Sequence, residues 1–207
     1  MAVGDLERAF AEPAAADGIV LTENFTFPWL NELGHLYLLH VASQTEDERA
    51  VKRLKIVAKS MAAIFAQLRG KKEVLAYCRF NRFVAIDLVH EPTGTIVELD
   101  AVEHFTTLRQ ASLDLYPSGV PIGFDPGEYW ELCAEHHAQA DKVRHNLAAK
   151  HFGFGGIPRE RVFYDALKDL APPAMGHPAT IRLPVPDGDG AAAYARSRDR
   201  ILKLLGS

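Results

Sequence analysis

Two β-forming runs, RFVAIDLVH (82–90) and TIVELD (95–100), are separated only by Glu91-Pro92-Thr93-Gly94. Proline and glycine between two such runs predict an antiparallel hairpin, and no other stretch constrains the fold as tightly. Strand alternation puts Ile96, Glu98 and Asp100 on one face and Val97 and Leu99 on the other. With the turn centred on Pro92–Thr93, Glu91 lies opposite Gly94, and counting back sets Asp87 opposite Glu98. The Cβ atoms of such a pair stand about 4.5–5.5 Å apart. Two facing carboxylates destabilise a sheet, so a cation must offset them or one must take up a proton. Asp100 continues the same face, and Glu103–His104 follows directly. A hard divalent cation, Mg2+ or Mn2+, suits such an oxygen-rich cluster. A three-residue loop would instead slip the pairing and set Asp87 opposite Leu99. The same acids also read as a solvated face paired with Arg79, Arg82 or Arg109.

The rest of the chain arranges itself around this hairpin. Val51, Leu54, Ala58, Met61, Phe65 and Leu68 recur at steps of three and four, which predicts a helix over about 45–69. Thr45 followed by Glu48 makes a capping-box start, and Gly70 a stop. EVLAYCRF (73–80) reads as a strand preceding the hairpin. Beyond it, the pattern gives a helical stretch at 107–116, a Pro/Gly-rich loop at 116–130 and a polar helix at about 127–150. A helix at 158–171, ended by Pro172 and Pro173, leads to a short strand, ATIRLPV (179–185), and a terminal helix. Residues 1–22 look like a loose lead-in, and 24–43 a short helix. The expected fold class is therefore mixed α/β (α+β). Residues 1–44 form a lead-in, and 45–207 a domain with an insertion at about 106–157.

Bulk properties narrow the function classes. The net charge of −4 and pI near 6.1 exclude a small, strongly basic nucleic-acid binder, though not a local basic face. No run approaches about 18 apolar residues, so no membrane span is expected. The acidic N-terminus lacks a signal-peptide pattern, and Cys78 and Cys133 cannot build a disulfide framework. A cytoplasmic setting is the expectation. Cys133 with His136 lacks the second knuckle of a zinc site, and GFGGIP (153–158) reads as a flexible loop rather than a dinucleotide fingerprint.

The run Asp87…Glu98-Leu99-Asp100-x-x-Glu103-His104-Phe105 resembles the heart of the PD-(D/E)xK nuclease superfamily. Within it, the run is most similar to the very-short-patch repair endonuclease-like group. Asp165-x-x-Lys168 and Ile181-Arg182-Leu183-Pro184 resemble a second motif of that group. Ala101 and Glu103 stand where the group usually has glycine and glutamine, and Asp100 where the superfamily most often has lysine. The likeness covers roughly 45–105 and 160–186. It implies a restriction-endonuclease-like core: helix, three-strand meander, helix, strand. It further implies Mg2+- or Mn2+-dependent hydrolysis of DNA by a repair- or defence-type endonuclease. Asp87, Glu98 and Asp100 would hold the metal, His104 would move protons, and Lys168 and Arg182 would offset phosphate charge. For DNA contact the candidates are Arg79, Asn81, Arg82, Arg159, Arg161 and Arg182, with Lys142 and Arg144 beside them. The alternative is a non-catalytic module of the same fold, binding nucleic acid or a protein partner. A homodimer that cuts both strands stays open.

Overall fold

The computed structural model describes residues 4–75 and 82–206. Helices α1 (Asp5–Ala16), α2 (His35–Gln44) and α3 (Glu48–Gln67) are followed by a single helical turn, α4 (Lys72–Leu75). The hairpin strands β1 (Leu88–His90) and β2 (Thr95–Asp100) come next, then a 3-10 turn at Val102–His104. Helices α5 (Thr107–Leu113), α6 (Pro126–Ala140) and α7 (Gly156–Ala174) precede β3 (Ile181–Pro184) and α8 (Gly190–Leu205). The described residues thus form a mixed α/β fold with one three-stranded sheet of order β1-β2-β3.

In this sheet β1 runs antiparallel and β3 parallel to β2, with α7 in the crossover between β2 and β3. Helices cover both faces. Val89 and Ile96 pack into a core with α2, α3 and α7, built on Leu54, Met61, Phe65, Phe163 and Leu170. On the other side, Leu88, Val97, Leu99, Ile181 and Leu183 pack against α1 and α8 through Phe10, Tyr194 and Ile201. Strand alternation therefore sends Glu98 and Asp100 toward α7, on the same side as Ile96.

The hairpin has the register expected from its turn. Leu88 pairs with Val97 and His90 with Thr95, which, continued by one pair, sets Asp87 opposite Glu98. Gly94 closes the turn at φ 68°, a left-handed conformation that glycine adopts without strain, and donates to His90 O at 2.9 Å. β1 is shorter than the sequence suggested. Residues 82–86 turn away to the α2 approach, where Glu32 N donates to Arg82 O and Val84 N to Leu30 O. The expected strand at 73–80 is corrected at its start, since Lys72–Leu75 is helical, and the rest of it lies outside the described residues.

Four other expectations change for identifiable reasons. The lead-in contains α1, held to α8 because Phe10 is fully buried edge-on to Tyr194 at 5.3 Å. Asp47, not Thr45, caps α3 by accepting from Arg49 N, while Thr45 donates to Val41 O at the end of α2. At its far end Arg69 takes the left-handed position (φ 59°), and a side chain on Gly70 would overlap the Phe65 ring. The 127–150 helix stops at Ala140, where the Asp141 carboxylate is drawn off to Thr107 N and Oγ1 at the start of α5. Finally, α7 runs through Pro172 and Pro173. Pro172 has no N–H for the Lys168 carbonyl four residues back, and the Thr180 hydroxyl supplies the missing donor at 2.5 Å.

His35, buried between Phe65 and Phe163, has an Nδ1 without a hydrogen-bond partner among the described residues. Burial, helped by Lys72, pushes its pKa down from 6.5 to about 4. The unfolded chain therefore binds the His35 proton first as pH falls. The stability from a neutral His35 is complete above about 6.5 and drains away between 6.5 and 4. Its size is on the order of 3 kcal/mol. Urea unfolding at stepped pH should show this loss in the wild type, and a shallower slope in that window for His35→Phe. Parallel profiles would contradict it.

Candidate functional site

Helix α7 is buried on two sides with opposite chemistry. Val162, Phe163, Ala166, Leu167, Leu170 and Ala171 face the apolar core. Asp165, Lys168 and Asp169, spaced i, i+3, i+4 on one face, are buried as well and meet charged groups of the sheet. Glu98 and Asp100 arrive from β2, and Arg182 from β3. Residues Glu98, Asp100, Asp165, Lys168, Asp169, Arg182 and Arg109 are all buried.

Arg182 sits at the centre, with no solvent exposure. Its Nη1 donates to Asp100 Oδ1 at 2.6 Å, its Nε to Asp169 Oδ1 at 2.5 Å, and its Nη2 to Asp165 Oδ1 and Asp165 O at 3.2 Å each. The second Asp169 oxygen accepts from Arg109 Nη2 at 2.7 Å and the Tyr116 hydroxyl at 2.6 Å. The second Asp100 oxygen accepts from the Tyr129 hydroxyl of α6 at 2.8 Å. Lys168 Nζ bonds Glu98 Oε2 and lies 3.6 Å from Asp165 Oδ1. The region between β2 and α7, read from sequence as an insertion, thus supplies three side chains of this network: Arg109 of α5, Tyr116 of the following loop and Tyr129 of α6.

Charge balance explains the protonation states. The carboxylates Glu98, Asp100, Asp165 and Asp169 face Lys168, Arg182 and Arg109, which leaves one negative charge for His104 to offset. Burial works against a charged His104, but Asp165 and Asp100 outweigh it and raise its pKa. Burial likewise works against charged Asp100 and Asp165. Arg182 and His104 prevail and hold both below the ordinary carboxylate range. Glu98 differs. Burial, and then Asp87 beside it, push it up to about 7, against the pull of Lys168 and Arg182.

At the edge of the network, His104 Nδ1 lies 3.0 Å from Asp165 Oδ2 and 3.3 Å from Asp100 Oδ1. The ligand-type atoms of Asp100, His104 and Asp165 all fall within 4.8 Å of one another, so the group could hold a metal ion. The His104 side chain keeps 21% exposure and opens the cluster to solvent. Among the described residues this trio differs from the expected Asp87, Glu98 and Asp100. The Asp87 carboxylate turns to Leu99 N at 2.8 Å, while Asp87 N donates to Glu98 Oε1 at 3.2 Å. Both acids are near each other but spend their oxygens on the backbone and on Lys168.

The expected DNA contacts divide in three. Arg79 and Asn81 lie outside the described residues. Arg182 is corrected outright: fully buried and bonded to three aspartates, it cannot reach a phosphate backbone. Arg82 is exposed and 3.6 Å from Glu32, Arg161 donates to Glu103 O at 3.0 Å, and Arg159 is half-buried. Sequence reasoning passed over Asp169 and Tyr129. A signal for the first was present, since Asp165-Ala-Leu-Lys168-Asp169 places two acids one helical turn apart.

Comparison with protein-family models, curated proteins and solved structures yields no match. No helix among the described residues is long and apolar enough to cross a membrane.

Replacing Tyr129 by Phe removes one buried donor to a charged acceptor, which costs about 1.5–3 kcal/mol. The urea midpoint of Tyr129→Phe should fall accordingly with an unchanged m-value. A midpoint equal to wild type would mean that α6 does not hold Asp100.

Proposed function

We propose that this chain is a metal-dependent nuclease that hydrolyses DNA phosphodiester bonds, with Mg2+ or Mn2+ held by Asp100, His104 and Asp165. The observation that supports this most is the convergence of those three donors at a solvent-facing edge. Neighbouring ligands of an octahedral ion at 2.0–2.1 Å stand about 3 Å apart, and the Nδ1–carboxylate distances are 3.0 and 3.3 Å. Two carboxylates suit either ion, and the imidazole tilts the set toward Mn2+. When bound, the ion would polarise a phosphoryl oxygen and lower the pKa of water.

The protein's own groups do the rest. Arg182 and Tyr129 fix Asp100, and Arg182 fixes Asp165, so neither carboxylate has to reorient when the ion arrives. Lys168, between Glu98 and Asp165, brings positive charge from α7 to the place where the motif of β2 carries Asp100 instead of lysine. On this reading His104 is a ligand rather than the proton carrier expected from sequence. Asp87 and Glu98 form the adjoining wall.

A second reading keeps the architecture without the reaction: a binding module of the same fold. What favours it is Arg182, which already neutralises Asp100 and Asp165 from within.

Incubation with supercoiled plasmid and with single-stranded DNA separates the two. The nuclease reading expects nicking in Mn2+ or Mg2+, none in EDTA, and a loss of about a hundredfold or more in His104→Ala and Lys168→Met. His104 is partly exposed, so its variant should keep the wild-type circular dichroism spectrum. Cleavage that persists in both variants, or no cleavage by a wild type that still binds DNA, would leave the module.

A further inference from the structure

Phe154 is 78% exposed, more than any other large apolar side chain among the described residues. It stands in the glycine-rich loop that the sequence alone presents as flexible, yet this loop is tightly bonded. Ala149 N donates to Gly153 O at 2.9 Å, Gly153 N to Ala149 O at 2.7 Å, and Gly156 N to Leu147 O at 2.9 Å. Gly153 and Gly155, on either side of Phe154, adopt φ of 68° and 65°. Glycine takes that left-handed conformation more readily than any other residue type, so both flanks of Phe154 suit a tight loop. The loop costs little to order and presents a flat apolar surface to solvent.

The ring borders a hollow of about 360 Å3 that also takes in Thr107, Asp141, His145, Pro158 and Arg159. Its carboxylate is spent, since both Asp141 oxygens accept from Thr107. Its arginine is not: Arg159 has no ion pair among the described residues, and beside it His145 is exposed with Nδ1 engaged by Lys142 O. Lys71 Nζ lies 3.0 Å from where a Cβ on Gly153 would stand, so a further cation lies against the residue that precedes Phe154. Thr107 is three residues past His104, and Arg159 six residues before Asp165 on α7, a rise of about 9 Å. The hollow and the candidate metal centre thus draw on the same two segments, α7 and the start of α5.

We infer that this hollow takes an unpaired nucleotide of a nucleic-acid strand, its base stacked on Phe154 and its phosphates met by Arg159 and Lys71. The inference rests on the nucleic-acid reading above and names its substrate class: a strand with an unstacked base rather than an intact duplex. An aromatic platform ringed by cations is the chemistry of single-strand binding. An acidic peptide would use the cations but leave the ring uncovered.

Anisotropy of a short fluorescein-labelled oligothymidylate in EDTA tests this with cleavage excluded. The oligonucleotide should bind more tightly than a blunt duplex or polyglutamate. Phe154→Ala should weaken it about tenfold. Phe154→Trp should keep the affinity, with its new indole fluorescence quenched by the bound strand. Arg159→Ala should weaken binding and lower the salt slope by about one counterion. Wild-type affinity in Phe154→Ala, equal affinity for duplex or polyglutamate, or no binding by the wild type would each overturn the inference. Cleavage that ignores Phe154 would remove this subsite and spare the nuclease. Phe154-dependent binding without any cleavage would do the reverse.

Discussion

A guanidinium with no exposure to water is the constraint around which this molecule is built. Burying such a charge costs several kcal/mol unless its donors are met with good geometry. Arg182 meets them with Asp100 of β2 and with Asp165 and Asp169 of α7, so one side chain of β3 ties together the three elements of the crossover. Its planar fork can address several carboxylates at once, which an ammonium cannot. The apolar layers on either side of the sheet supply the bulk of the burial energy. The guanidinium decides how α7 is set upon the strands.

That placement has a chemical consequence. On Asp165, Arg182 takes Oδ1 and leaves Oδ2 facing His104, whereas on Asp100 the Oδ1 held by Arg182 is also the oxygen nearest His104, and Oδ2 goes to Tyr129. The same carboxylates thus serve a structural cation and offer donors to a metal ion. Arg109 and Tyr116 brace Asp169, and Tyr129 braces Asp100. The region between β2 and α7 therefore braces the buried network, and its last loop carries Phe154.

The hairpin was legible because its turn is spelled out by Pro92–Thr93–Gly94; of the two registers the sequence allowed, the one centred on Pro92–Thr93 forms, and the acids of β2 follow from alternation. The ends of α3 and α6 and the extent of α7 were not. At α6 and α7 a side chain met a backbone group distant in sequence, as Thr180 does for the Lys168 carbonyl, while at α3 the choice lay between two neighbouring caps, Thr45 and Asp47. The centre was half legible. Asp100 and His104 could be picked out from strand alternation and its sequel, and Asp165 and Lys168 from the resemblance of their motif. Which acids face which cation depends on how α7 lies over the sheet, and no local pattern encodes that. Asp87 and Glu98 are neighbours as expected, yet the backbone and Lys168 claim their oxygens. Arg182 was expected to meet phosphate or else to pair with Asp165; the structure has the pairing with Asp165, joined by Asp100 and Asp169.

The most direct test of Arg182 as the central tie is a double-mutant cycle between Asp100→Asn and Arg182→Lys, read from urea unfolding free energies. Two groups joined through a buried, charge-assisted bond should couple, so that the double variant departs from the sum of the single ones by about 2 kcal/mol. Effects that simply add, within about 0.5 kcal/mol, would mean that Asp100 and Arg182 act independently and that the buried network does not hold the site together.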